Sequence, residues 1–127
     1  MFMKTTNIPG LITVKGKCSS VALDSCTKTG VIFDTAVVSL EMVNCKSTKA
    51  QVNVSVPSIT VDNTAGATIF LSKDSKGAEV YTSKSTEVNL NVAKDDGDYT
   101  ETPIPSQFVT KFEGGKWVTK SVEHVGV

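Results

Sequence analysis

An all-β fold, a parallel β-helix (solenoid) of about 19 residues per coil followed by a C-terminal β-hairpin, is predicted by three features of this 127-residue sequence. The first is composition. Valine, isoleucine and threonine make up 40 of the 127 residues, against five leucines and seven alanines, and stiff β-branched side chains favour strands. The second is an internal repeat. Ile12, Val31, Ala50, Ile69 and Val88 form an apolar column at a spacing of 19, and Val14, Phe33, Val52, Leu71 and Leu90 form another. Val21, Leu40, Ile59 and Ala78 make a third column, and Leu23, Met42, Val61 and Val80 a fourth. The third feature is a Gly114-Gly115 pair between two alternating runs, Gln107–Phe112 and Trp117–Val122, which reads as a hairpin turn.

Residues 1–10 contain no apolar signal-like run and read as an N-terminal cap or a truncated first coil. Residues 11–92 are the β-helix, with the 19-residue register expected to hold from Ile12 to Val92 without insertion or deletion. Each period holds two short alternating strands, such as 11–16 and 20–25, and alternation inside a fixed long period is the mark of a β-solenoid. Coils stacked ~4.8 Å apart give a body about 20 Å long. Cys26, Cys45, Thr64 and Ser83 then stack, preceded by a polar ladder of Ser25, Asn44, Asn63 and Thr82. In-register stacking points the sulfurs of Cys26 and Cys45 the same way, so the three cysteines read as reduced core residues. Residues 93–105 read as a polar and proline linker, because Pro103-Ile104-Pro105 cannot be a central strand. Residues 106–127 are the hairpin and tail. A hairpin beside an open solenoid edge implies an edge-paired or swapped homodimer, with Phe108, Phe112, Trp117, Val118 and Val122 as its contacts.

Thirteen basic residues balance thirteen acidic ones, and every basic residue is lysine. That balance argues against nucleic acid or membrane as a partner. The absence of arginine excludes an arginine finger or a bidentate phosphate fork. No run approaches the ~18 apolar residues of a membrane span, and the chain reads as a cytoplasmic protein. Catalysis has little to stand on. His124, the one histidine, has no Ser or Cys partner at a triad-like spacing. Glu41 and Glu79 are expected two coils apart with Thr60 between them, too loosely placed for a sugar-cleaving pair. Asp95, Asp96 and Asp98 lack the remaining oxygens of a calcium loop and read as a solvated turn. No metal, cofactor or enzymatic activity is expected. Alternation turns Thr13, Lys15 and Lys17, Ile32 and Asp34, Gln51 and Asn53, Phe70, Ser72 and Asp74, and Asn89 and Asn91 outward. Most of these are an ordinary solvated face. Ile32 and Phe70 are large apolar groups rimmed by charges and amides, the pattern of an interface centre, unless the hairpin covers them.

The segments Leu11–Ser20, Val31–Asp34, Val43–Ser47, Leu71–Ser75 and Lys84–Asn89 resemble the C-terminal β-helix domain of cyclase-associated protein. So do Asp96–Tyr99, Pro103–Phe108 and Gly115–Thr119, in the family's order, over nearly the whole chain from Leu11 to Gly126. The resemblance implies a right-handed parallel β-helix that dimerises by exchanging its C-terminal hairpin. It implies binding of actin monomers, preferring the ADP form, and promotion of actin nucleotide exchange. The family's Lys-Gly-Lys motif carries an actin-contacting lysine, which falls here on Lys17. With the outward face, the expected actin-binding residues are Lys15, Lys17, Ile32, Asp34, Gln51, Asn53 and Phe70, joined by Glu123 and His124 of the tail. The chain departs from the pattern by ending in an additional Val127 and by starting about a coil late. The family's helical, proline-rich and other actin-binding parts are not matched, so cyclase, profilin and cofilin roles are not carried over. Two alternatives are a β-solenoid scaffold dimer without actin activity and a relative of tubulin-folding cofactor C that regulates a small GTPase. The second needs an arginine that the sequence lacks.

Overall fold

The computed structural model describes residues 2–6, 10–75 and 77–122, with side chains from Gly10 onward. The repeat becomes coils through parallel pairing. Two long strands, β2 (Gly10–Asp24) and β3 (Thr29–Val43), each run through both faces of the solenoid. In the next coil Val56-Pro57 interrupts the strand, giving β4 (Lys46–Ser55) and β5 (Ser58–Asp62), as expected where a residue has no N–H for the ladder. The fourth coil is β6 (Ala65–Leu71) and β7 (Glu79–Ser83), separated by a 3-10 turn at Lys73–Ser75. The first face continues into β8 (Thr86–Ala93). On that face Ile12, Val31, Ala50 and Ile69 are successive partners, and on the second face Val21, Leu40 and Ile59 are. An additional strand, β1 (Phe2–Thr6), lies parallel on the second half of β2, pairing Phe2 with Ser20.

The core lies between the two faces. Phe33, Leu23, Leu40, Met42, Ile59 and Ile69 are fully buried there. Ile12 and Val14 at one end of the stack, and Val80, Leu90 and Val92 at the other, pack against that core but are only half-buried.

The corner between the faces is built from left-handed residues. Ser25, Asn44, Asn63 and Lys84 have φ between 48° and 57°, and Lys28, Ser47 and Glu87 lie between 52° and 54°, with Gly66 at 82° in the same row. Between these rows Cys26, Cys45 and Thr64 point inward and are buried. The hydroxyl of Thr64 accepts the Cys45 N–H at 3.3 Å and donates to the Asp62 carbonyl at 3.0 Å. The Ser85 hydroxyl accepts the Thr64 N–H at 3.2 Å. All three cysteines are buried thiols, and burial pushes the Cys45 thiol pKa up. Outside, the Asn63 amide donates to Asn44 Oδ1 at 2.7 Å, the expected polar ladder.

The uninterrupted 19-residue register is corrected by the structure. Ile69 pairs with Leu90 and Ile59 with Val80, a spacing of 21. The two extra residues lie between Leu71 and Glu79, around the 3-10 turn, where Ser72 Oγ donates to the Val54 carbonyl at 2.5 Å. The last member of each row therefore changes. Ser85 rather than Ser83 follows Thr64, and Lys84 rather than Thr82 follows Asn63. Because strand side chains alternate with a period of two, a slip of two keeps every inward residue inward.

Within the stretch read as a linker, β9 (Tyr99–Pro103) pairs antiparallel with β8, from Ala93 against Tyr99 to Asn89 against Pro103. It is an edge strand, the place a sheet tolerates proline. The Ile104 N–H then donates to the Val88 carbonyl at 2.8 Å. The predicted hairpin is β10 (Phe108–Glu113) and β11 (Lys116–Ser121), a separate two-stranded sheet turning at Gly114-Gly115, whose φ angles are 58° and 81°. Positive φ at both turn residues matches the twist of the flanking strands.

Gly66 and Glu87 occupy one corner row, where a residue with a Cβ costs roughly 1–2 kcal/mol. Gly66→Ala is expected to lower unfolding free energy by about that amount, and Glu87→Gly to leave it unchanged or raise it by up to about 1 kcal/mol. Urea denaturation of both variants checks this, and equal destabilisation by both would contradict the corner geometry.

Candidate functional site

The outward face of β2, β3 and β4 brings six of the expected residues into one patch. Register aligns Thr13, Ile32, Gln51, Phe70 and Asn91 as successive partners across the first face. Beside this row the ladder of β2 is irregular between Val14 and Lys17, so that Lys17 pairs with Thr35. Gly16 sits in that irregularity with φ of 83°, and Lys15 and Lys17 on either side are exposed. The Gly16 N–H donates to Asp34 Oδ2 at 2.9 Å. The Asn53 amide donates to Asp34 Oδ1 at 3.1 Å, and the Gln51 amide donates to Asn53 Oδ1 at 3.0 Å. Asp34, Gln51 and Asn53 are thus one hydrogen-bonded chain across two coils, ending at the backbone between the two lysines. The Gly16 N–H, then the Asn53 amide, and further the Lys15 charge hold the Asp34 carboxyl pKa below its ordinary 3.8.

Ile32 is half-buried within this patch. Phe70 is also half-buried and lies two strands away, on β6. Its ring meets the Tyr99 ring edge-on with centroids 5.3 Å apart. The hairpin was one alternative for covering Ile32 and Phe70, and the ring seen against Phe70 is that of Tyr99 on β9. Glu123 and His124 lie outside the described residues. On the hairpin Phe108, Phe112 and Trp117 are 60, 62 and 70% exposed, while Val118 and Val122 are half-buried. Phe112 and Trp117 pack edge-on at 5.5 Å.

Sequence reading missed Val37, Val38 and Val54, which are 54, 57 and 46% exposed where the first face ends. Alternation from the buried Ala36 signals only Val37 as outward, whereas it would turn Val38 inward with Leu40. It also missed Tyr81, which takes the place on β7 opposite Thr60 and donates its hydroxyl to Glu79. That bond pushes the tyrosine pKa up. The extra two residues put Glu79 opposite Ser58 instead of two coils directly above Glu41.

In the acidic loop the Asp98 N–H donates to Asp96 Oδ1 at 3.0 Å, and Asp95 meets Lys73 at 3.4 Å. Among the described residues no group of three or more His, Cys, Asp or Glu side chains could hold a metal. Two open depressions, of about 290 and 260 Å³, lie beside β9 and over the corner at Asn44 and Asn63. Among the described residues no helix is long and apolar enough to cross a membrane.

These features define a short parallel β-helix domain with an anchored lysine bulge on one face and an exposed aromatic hairpin. Residues 4–124 match the family model described as "Adenylate cyclase associated (CAP) C terminal", and the chain belongs to that family. It is 41% identical over 120 residues to the adenylyl cyclase-associated protein of Dictyostelium discoideum, covering 93% of this chain and 26% of that protein. With cyclase-associated protein 1 of Arabidopsis thaliana the identity is 39%, over 91% of this chain and 25% of the relative. With adenylyl cyclase-associated protein 2 of Homo sapiens it is 40%, over 88% and 23%. The chain therefore spans about a quarter of the length of these relatives. The crystal structure of cyclase-associated protein from Cryptosporidium parvum superposes with a TM-score of 0.81 at 29% identity, covering 95% of this chain and 83% of that one.

A carboxylate held ionised by its neighbours contributes stability above its unfolded pKa and loses it as pH falls through the lower folded value. Asp34 is accordingly expected to titrate below 3.8, and Asn53→Ala to move its midpoint upward. Titration of the Asp34 side-chain carboxyl by NMR reads both values, and a wild-type midpoint above 3.8 would contradict the network.

Proposed function

We propose that this chain is a non-enzymatic actin-monomer-binding module that prefers ADP-actin and promotes exchange of its nucleotide. The observation that carries the reading is the Lys15-Gly16-Lys17 bulge, exposed on the first face of a domain whose family is known and whose resemblance assigns an actin-contacting lysine to Lys17. Lys15 and Lys17 meet acidic actin surface, and Ile32 supplies apolar contact inside a polar rim. Gln51 and Asn53 extend the polar contact, and Glu123 and His124 extend it toward the actin nucleotide. Phe70 contributes only the ring surface that Tyr99 leaves open. Exchange is promoted because the module binds an opened actin cleft more tightly than a closed one. A ligand shifts such an equilibrium only by its differential affinity for the two states.

The same reading makes the active species a homodimer in the cytoplasm. Three exposed aromatics on a two-stranded ribbon are a large apolar area for a surface element. The last coil supplies a receiving edge: β8 is covered by β9, whereas β7 pairs only with β5 among the described strands. A partner's hairpin laid along β7 would satisfy that edge and bury Phe108, Phe112 and Trp117. A scaffold role for the solenoid is the competing reading, and the arginine-free sequence disfavours the GTPase-regulating one.

Lys17→Ala is expected to weaken ADP-actin binding by about 1–3 kcal/mol, the scale of a charged hydrogen bond, measured with fluorescently labelled ADP-actin. Release of a fluorescent nucleotide from ADP-actin should speed up with the wild-type chain. Absence of both binding and release would leave the scaffold reading standing. In sedimentation equilibrium the chain is expected to be a dimer, and Phe112→Ala with Trp117→Ala is expected to make it monomeric. A monomeric wild type would end the hairpin-exchange reading.

A further inference from the structure

We infer that Asp34 is a positioning residue, not an actin contact: it locks the Lys15-Gly16-Lys17 bulge and so sets the direction of both lysines. This inference rests on the proposed role of those lysines and changes the part assigned to Asp34.

The geometry that carries it is local. A bulge leaves a backbone group outside the ladder, and here Asp34 Oδ2 takes the Gly16 N–H at 2.9 Å from the neighbouring coil. Gly16 holds φ of 83° with open space where a Cβ would stand, so neither side-chain packing nor sterics fixes this conformation. The hydrogen bond does. The other carboxylate oxygen is held by the Asn53 amide at 3.1 Å, and Asn53 is held in turn by Gln51 at 3.0 Å. With one oxygen on the bulge and the other on the amide chain, the carboxylate is oriented from two sides, one acceptor site on each oxygen being engaged inside the protein. In a regular strand Lys15 and Lys17 would project in parallel two residues apart. With Gly16 in the left-handed region between them, their directions depend on how that one residue is held.

An asparagine at position 34 can keep one acceptor on Gly16 only by turning its NH₂ toward Asn53, whose amide must then flip, as must that of Gln51. The anchor survives in a neutral, weaker form. An alanine removes it. Asp34→Asn should therefore fall between wild type and Asp34→Ala in every readout that reports the bulge.

The test is a mutant cycle on the full chain with two readouts. Amide hydrogen exchange by NMR should show the Gly16 N–H exchanging at least about tenfold faster in Asp34→Ala, the order of one charge-assisted hydrogen bond. Asp34→Asn should be intermediate, and core amides such as Leu40 and Ile59 unchanged. Binding to labelled ADP-actin should fall about tenfold in Asp34→Ala, and by little or nothing when Asp34→Ala is added to Lys15→Ala with Lys17→Ala, because contacts acting as one unit are not additive. Unchanged Gly16 exchange would overturn the anchoring. An equal loss of affinity in both backgrounds would overturn the positioning role and make Asp34 a direct contact. Wild-type affinity in the double lysine variant would instead defeat the reading of the lysines, while Gly16 exchange still decides whether Asp34 anchors the bulge.

Discussion

The parallel backbone ladder between coils is the constraint from which the rest of this domain follows. Once each strand pairs with the strand one coil on, every side chain must stack on its counterpart ~4.8 Å away, so each inward row has to be uniform in character. Inward rows become continuous apolar columns, from Val21 through Leu40 to Ile59 and from Ile12 through Ala50 to Ile69. At the corner the backbone bonds between coils run on outside the strands, from the Ser25 N–H to the Val43 carbonyl and from the Asn44 N–H to the Asp62 carbonyl. There the chain turns through left-handed residues, and Cys45, Thr64 and Ser85 tie one coil to the next by side-chain to backbone bonds. Small polar residues fit this row because each must bond a backbone group while sitting in the core wall.

The same ladder creates the domain's main liability, since a stack of coils ends in unpaired strand edges. At the far end the two faces are treated differently. β9 folds back over β8, pairs with it, and sets Tyr99 against Phe70. β7, on the other face, keeps an edge with Tyr81 beside it, 55% exposed. The chain then carries a hairpin with its aromatics turned to solvent. An unsatisfied edge and an uncovered apolar ribbon in one domain have complementary needs, and these are the needs that the proposed dimer would meet.

Much of this was legible in the sequence because repetition multiplies a weak signal. A single run such as Leu11–Lys15 is ambiguous, but four apolar columns in phase admit few folds. The hairpin was legible for a different reason, a Gly-Gly pair that supplies both positive φ angles of its turn. The two extra residues before β7 were not, because an even slip preserves inward and outward alternation and each apolar column still finds an apolar neighbour. β9 was hidden by its polarity. Tyr99-Thr100-Glu101-Thr102-Pro103 is exposed along its length, and an edge strand that covers an end buries little of its own surface. At the site, the outward rows were readable, whereas the hydrogen bond from Gly16 to Asp34 was not. It spans 18 residues instead of 19, and only the bulge at Gly16 brings the two together.

That last mismatch bears on how a solenoid can hold a specific surface at all. Faithful stacking makes each coil resemble the next, which yields stripes of similar groups and no unique constellation. Distinct chemistry requires the repeat to be broken where breaking it is tolerated, on the outward side and near a coil's turn. The β2 irregularity meets both conditions, since the inward residues Val14 and Cys18 still join the core while the exposed segment between them departs from the ladder. A broken ladder alone would leave a floppy loop. What gives the lysines a defined place is the hydrogen-bonded chain that Gln51, Asn53 and Asp34 extend from the neighbouring coils to the Gly16 N–H, while the inward Phe33 and Val52 beneath it stay paired and in the core.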